Sequence, residues 1–297
     1  MIKRIITGGC SFSDPRSEAP WIYRLEEKVK AIYPDVTFLH VGFNGQGQEL
    51  IQKKLSLALT EELTKFSADE ILVLPMWSGT DRKAFYVDNK HVVEEIAEEW
   101  PKLSLFGTQQ FFDLKNESNT DGVVVCEKTG SRIPYNTNGG WYNCHYYAPD
   151  SKLSREFFDS METVIGFATY SLENIIFLHN LCKLKGVKIY HSFYRSYVYE
   201  DIVENKDHLN LKYLFSMLDH DMIISTTGIF EYLKNIENIK DMKLRKSSYV
   251  FTHIMEGWKN SNNSEYFEID KIHPNKTGSQ KWVEEVLFPT LQNKGIF

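Results

Sequence analysis

A serine close to the start of the chain and an Asp-Lys-Ile-His-Pro run close to its end are the residues whose types and spacing could do chemistry. A serine hydroxyl is a poor nucleophile until a base takes its proton, and an imidazole base needs a third group to fix its tautomer. Asp270 and His273, three residues apart, can supply that pair on one loop: the carboxylate accepts from one ring nitrogen and leaves the other for Ser11. Pro274 biases His273 toward extended backbone, which holds the ring at the mouth of a following helix. The N–H groups of Ser11 and Gly45 could stabilise an oxyanion, since glycine lets the main chain approach closely. Each residue also has a plainer reading. Ser11 could cap a helix, Asp270 could cap another, and His273 could be a surface histidine. Cys10 could replace Ser11 as nucleophile, but a small apolar residue closing a strand is the simpler role.

Such groups must be brought together by regular elements. Residues 2–7 read as a short buried strand ending at Gly8-Gly9. Trp21, Leu25, Val29 and Ile32 recur at helical spacing and stop before Pro34. Val36 to Val41 predicts a second strand, closed by Gly42-Phe43-Asn44-Gly45-Gln46-Gly47. Ile51, Leu55, Leu59 and Leu63 mark a second helix, and Ile71 to Leu74 a third strand running into Pro75-Met76-Trp77. Three strand–loop–helix units in the first 80 residues predict a parallel sheet with helices on both faces. Residues 162–184 continue the rhythm as a long helix, Val187 to Phe193 as a strand and Met222-Ile223-Ile224 as a last strand. A closing helix follows Pro274 through Trp282, Val286 and Leu287. Residues 83–160 break the pattern with an acidic helix around Val92–Trp100 and an aromatic-dense Trp141 to Tyr147, and read as an insertion in a single domain spanning 1–297. Residues 228–265 read as a second irregular region.

In open α/β sheets, ligands bind beyond the carboxyl ends of the strands. Ser11, the Gly42–Gly47 loop and Ser78-Gly79-Thr80-Asp81-Arg82 all follow strands, and Asp270–Pro274 precedes a helix. On these segments the chain resembles the SGNH (GDSL-type) hydrolases. Gly9-Cys10-Ser11-Phe12-Ser13 is similar to the family's first block, Gly45 to its second-block glycine, and Asp270 to Pro274 to its final Asp-x-x-His-Pro. The blocks cover some thirty residues, and the surrounding β-α rhythm extends the likeness over most of the chain. The resemblance implies a flavodoxin-like three-layer α/β/α sandwich with an aromatic-rich insertion. It also implies a metal-free serine esterase with Ser11, His273 and Asp270 as catalytic residues and no cofactor. Insertion-bearing members that act on acetylated sugars make an O-acetyl group on a carbohydrate the expected substrate. Two departures stand out. Cys10 replaces the usual Asp, and Thr80 falls where the third block has an Asn that donates to the oxyanion, leaving Thr80 or Arg82 as the third donor. Losing one such donor typically costs about 10²–10³ in rate. A non-catalytic glycan-binding protein and an acyltransferase using the same triad are therefore the alternatives, while the first two loops lack a nucleotide-binding pattern.

The bulk composition excludes other classes. With 34 Lys and Arg against 40 Asp and Glu the net charge is −6, without the basic stripe that nucleic-acid binding shows. Lys183, Lys185 and Lys188 suit a helix C-terminus instead. The four cysteines, Cys10, Cys126, Cys144 and Cys182, are irregularly spaced and make no disulfide framework. The first residues carry too short an apolar run for a secretory signal, and no stretch reaches the roughly 18 apolar residues a membrane span needs. A cytoplasmic protein without membrane or nucleic-acid partners is expected; the oligomeric state is open. His208, Asp219, His220 and Asp221 lack the tight spacing of a metal site, and none is expected. His191 could line a pocket or be structural. Trp77, Trp141 and Tyr142 could offer rings to a sugar, and the 14% aromatic content also suits a thick core.

Overall fold

A computed structural model describes residues 1–15, 17, 20–43, 46–80, 82–87, 123–125, 132–134, 140–145, 163–237, 264–267 and 273–297. Its centre is a parallel sheet. Strand β1 (Arg4–Gly8) pairs on one side with β2 (Thr37–His40) and on the other with β3 (Ile71–Trp77). Beyond β3 lie two short pieces, β8 (Lys188–Ile189) and β9 (Ser192–Phe193), both parallel to it. The order β2-β1-β3-β8 is that of a flavodoxin-like sheet.

Handedness assigns the helices to faces. Right-handed crossovers send the β1-to-β2 connection over one face, while the two that run back through β3 to β8 cross the other. The first connection carries α1 (Trp21–Lys30); the others carry α2 (Gln48–Glu62) and α3 (Val164–Lys185), which pack against each other. The C-terminal helix joins α1. It runs from α7 (Lys276–Trp282) through a π-helical turn at Val283–Leu287 into α8 (Phe288–Asn293). Pro289 explains that turn: it has no N–H for the carbonyl four residues back and its ring crowds the same group, so the helix widens just before it. Trp21 and Trp282 meet edge to face, with ring centroids 5.7 Å apart, a geometry worth about 0.5–1.5 kcal/mol beyond the buried area. Among the described residues no helix is long and apolar enough to cross a membrane.

The patterned elements appear where the periodicity puts them, with three differences. The strand expected over Val187–Phe193 is in two pieces because His191 turns its backbone away from β3: its N–H donates to Met222 and its carbonyl accepts from Ile224. That exchange is also all that remains of the expected strand at 222–224, a single parallel bridge between His191 and Ile223. The stretch 228–265 is not irregular throughout. Ile229, Phe230 and Leu233 are buried on one side of α6 (Ile229–Ile236), too short a run for periodicity to announce. Helices α4 (Tyr197–Glu204) and α5 (Leu209–Met217) likewise have no counterpart in the sequence pattern, for the same reason of length.

Within residues 83–160, β4 (Arg82–Val87) pairs antiparallel with β7 (Gly140–His145), and β5 (Val123–Val125) with β6 (Arg132–Pro134). The acidic helix expected at 92–100 lies outside the described residues. On the α1 face, Thr7 Oγ1 lies 2.7 Å from His40 Nδ1, and His40 Nε2 lies 2.9 Å from a Glu26 carboxylate oxygen. The His40 hydrogen bond, aided by Lys30, holds the Glu26 carboxyl down to about 2 from 4.5, although burial opposes it. A carboxyl depressed in the folded state adds stability above its ordinary value and loses it as pH falls. Glu26→Gln should therefore melt below wild type near neutral pH, with the gap closing between pH 4.5 and about 2 in thermal scans.

Candidate active site

The turn that carries Ser11 is shaped by its neighbours before any partner arrives. Ser11–Ser13 form one 3-10 turn after β1, with buried Cys10 at its N-cap position and no side-chain capping bond there. Ser13 fixes the turn from below, its Oγ accepting from the Trp21 indole at 2.8 Å. The loop after β2 fixes it from the side. Phe43 N–H donates to the Gly9 carbonyl at 3.0 Å, and Gly42 comes so close that a Cβ there would lie 2.1 Å from the Ser13 carbonyl oxygen. Only glycine fits at 42. Ser11 thus does not cap a helix.

His273 arrives from the far end of the chain. Its Nε2 lies 2.7 Å from Ser11 Oγ, across 262 residues of sequence. With Nε2 unprotonated, the serine hydroxyl donates to it, the geometry a general base requires. The imidazole ring rests 5.0 Å from the buried Phe12 ring, which meets Tyr194 edge to face at 5.1 Å. Asn275 holds the loop. Its Oδ1 caps α7 by accepting from Gly278 N–H at 2.9 Å, and its amide donates to the carbonyls of Glu265 (2.9 Å) and Phe267 (3.2 Å). The helix is capped by Asn275. Asn275 was open to sequence reasoning, since an Asn ahead of a helix is a capping signal.

Ser11 and His273 are therefore brought together. Asp270 and Gly45 lie outside the described residues. Among the described residues the Ser11 N–H meets no acceptor. After β3, Thr80 is buried and its hydroxyl has no hydrogen-bond partner among the described residues. Arg82, the other third donor considered, gives Nη1 to Ser78 Oγ at 2.9 Å and lies over the Tyr194 ring at 5.7 Å.

Trp77 corrects one expectation. It is fully buried, and its indole N–H donates to His191 Nδ1 at 3.1 Å, so its ring belongs to the core and is closed to substrate. His191 is structural for the same reason. Its Nε2 lies 3.2 Å from His179 Nδ1, and burial, with His179 adding, pushes its pKa down to about 3, leaving it neutral. The backbone of Trp141 and Tyr142 lies in β7, opposite Tyr86 and Phe85 of β4. His208 and Asp219 serve local backbone: each side chain accepts from an N–H two residues on.

No family model and no curated protein matches the chain. Solved structures to which it is similar include a member of the lipolytic protein G-D-S-L family from Veillonella parvula, 11% identical with a TM-score of 0.41, covering 96% of this chain and 98% of that one. The lipase Lip_vut3 from a goat rumen metagenome is 11% identical with a TM-score of 0.41, covering 100% and 98%. The Bacillus subtilis protein YXIM is 12% identical with a TM-score of 0.43, covering 100% and 58%. The side chains of the site carry the functional reading.

Removing the cap should be felt at His273. Asn275→Ala should cost about 1 kcal/mol, as cap removals typically do, in urea denaturation, with faster amide exchange in the 273–278 segment than in wild type.

Proposed function

We propose that this chain is a serine-dependent carboxylic ester hydrolase that removes an ester-linked acyl group, with an O-acetyl group on a carbohydrate as its substrate. The observation that carries the reading is the 2.7 Å contact between Ser11 Oγ and His273 Nε2 at the carboxyl ends of the central strands. Ser11 Oγ bonds to the ester carbonyl carbon as its proton passes to His273 Nε2. The tetrahedral intermediate collapses, the C–O bond to the alcohol breaks, and the departing alkoxide takes that proton. Water, giving a proton to the same nitrogen, then attacks the acyl carbon; the bond from that carbon to Ser11 Oγ breaks, Oγ takes the proton back from Nε2, and the acid leaves.

Asp270 is assigned the third role, accepting from His273 Nδ1–H and so keeping Nε2 available as base. The amides of Ser11 and Gly45 are assigned to the oxyanion. Of the two side chains after β3, Thr80 is the better donor, because its buried hydroxyl, without a partner among the described residues, forfeits about 1–3 kcal/mol that an oxyanion would return. Arg82 is already engaged with Ser78 and Tyr194. Support for a carbohydrate comes from the aromatic residues of the β4–β7 ribbon. The ribbon begins at Arg82, directly after the loop bearing Thr80, and includes Trp141 and Tyr142; flat rings suit the apolar faces of sugars. The insertion at 83–160 then shapes the alcohol side of the site within one domain. A serine within hydrogen-bond reach of an imidazole favours turnover over glycan binding alone.

Ser11→Ala should abolish hydrolysis of a simple acetyl ester and covalent labelling by a fluorophosphonate, with the fold retained by circular dichroism. His273→Ala should bring the same loss, and Thr80→Val a drop of about 10²-fold in kcat, the usual consequence of removing one oxyanion donor. Turnover that survives Ser11→Ala would rule out the assignment.

A further inference from the structure

The connection from β2 to α2 has to pass over the end of β1, because β1 lies between β2 and β3 in the sheet. The crossing is made by Gln46-Gly47-Gln48, and its two side-chain amides are almost wholly buried, at 1% and 0% exposure. They reach in opposite directions. Gln48 meets the loop after β3: its Nε2 donates to the Ser78 carbonyl at 2.6 Å, and its Oε1 accepts from the Ser78 N–H at 3.1 Å. One carboxamide thus satisfies both backbone groups of one residue, as a neighbouring strand would. Gln46 meets the loop after β1. With its amide turned to suit its neighbours it donates to the Gly9 carbonyl at 3.3 Å and accepts from Lys54 Nζ. Gly47, between them, lies against the start of β4, where a Cβ would come within 2.8 Å of the Arg82 carbonyl oxygen.

We infer that Gln46 and Gln48 are positioning residues for the Ser11 site, their amides setting the Gly9–Ser11 turn and the Ser78–Thr80 loop in one register. The inference rests on the hydrolase reading proposed above. Neither amide acts on substrate. Gln46 works through Gly9, two residues before the nucleophile, and Gln48 through Ser78, two residues before Thr80. Gln48 meets both backbone groups of Ser78, each of which would cost about 1–3 kcal/mol if buried unmade, and Gln46 adds a second donor to the Gly9 carbonyl that the Phe43 N–H already reaches, so both loops are tied to one tripeptide. Among the described residues the loop after β3 has no strand partner at Ser78, and the Gln48 amide supplies the missing ladder.

The test separates the amide from its bulk. Gln48→Met keeps the length and removes both bonds. It should lower kcat for an acetyl ester about 10- to 100-fold, the scale of a small misplacement near reacting atoms, with KM within about threefold of wild type. Gln46→Met should act in the same direction. Gln48→Glu reproduces both bonds only as the neutral acid, so its kcat relative to wild type should rise as the pH falls, whereas the ratio for Gln48→Met should stay flat. A folded Gln48→Met enzyme with wild-type kcat would overturn the inference, as would one pH-independent loss shared by the Glu and Met variants. Amide exchange at Ser78 keeps this test apart from the hydrolase reading. Should wild type prove inert toward esters, faster exchange in Gln48→Met would still support the clamp, and unchanged exchange would refute it.

Discussion

The hydrogen bond between the Ser11 hydroxyl and the His273 imidazole is the contact on which the functional architecture depends. It joins residues 262 positions apart. A serine on a tight turn is by itself only a polar side chain. Placed 2.7 Å apart, the serine and the imidazole have the geometry that the proposed nucleophile and base require. Much of the surrounding structure serves that separation. Trp21 anchors the nucleophile turn through Ser13, Phe12 gives the imidazole a flat surface, and Asn275 ties the histidine loop to residues 265–267.

The sheet order is what makes the meeting possible. Strand β1 leads outward to β2 and the chain then returns past it to β3, so the carboxyl end of β1 lies at the point where the connections diverge to opposite faces. Helices α1 and α7 pack on one face through Trp21 and Trp282, which carries the C-terminal segment back beside the first loop. Helix α2 crosses on the other face; Gln48 at its start and Gln46 just before it bond to the two flanking loops. The site is therefore gripped from both sides of the sheet, by apolar packing on one and by buried amides on the other.

Buried polar groups away from the site show the opposite use of the same chemistry. The Trp77–His191–His179 series is enclosed, and burial keeps His191 neutral. The Thr7–His40–Glu26 series has the hydroxyl–imidazole–carboxylate composition of a catalytic triad, yet Thr7 is fully buried and no substrate can reach it. The hydroxyl–imidazole contact is shared with the pair at Ser11 and His273; access is what differs. These series fix neighbouring elements to each other, Trp77 of β3 to the fourth strand and α3, and Thr7 of β1 to β2 and α1.

Sequence alone determined the parts of this protein that depend on local periodicity and on residue chemistry. The apolar runs of β1, β2 and β3, the helical spacing of α1, α2 and α3, and the choice of Ser11 and His273 all follow from side-chain type and interval, because strand and helix periods are written into which positions must be apolar. The helices α4, α5 and α6, of eight or nine residues, escaped because they are too short to establish a period, and the break of the expected fourth strand into β8 and β9 was not legible either. Tertiary structure alone decided which polar residues face the site. Trp77 closes β3 at its carboxyl end, where ligand-facing residues sit, but packing against His191 takes it into the core. Gln46 and Gln48 read as ordinary loop polarity until the crossing over β1 presses them between two loops. Asn275 gains its second role because residues 265–267 fold back beside it. A side chain's direction and partners are set by contacts between segments distant in sequence, and that information resides in the packing.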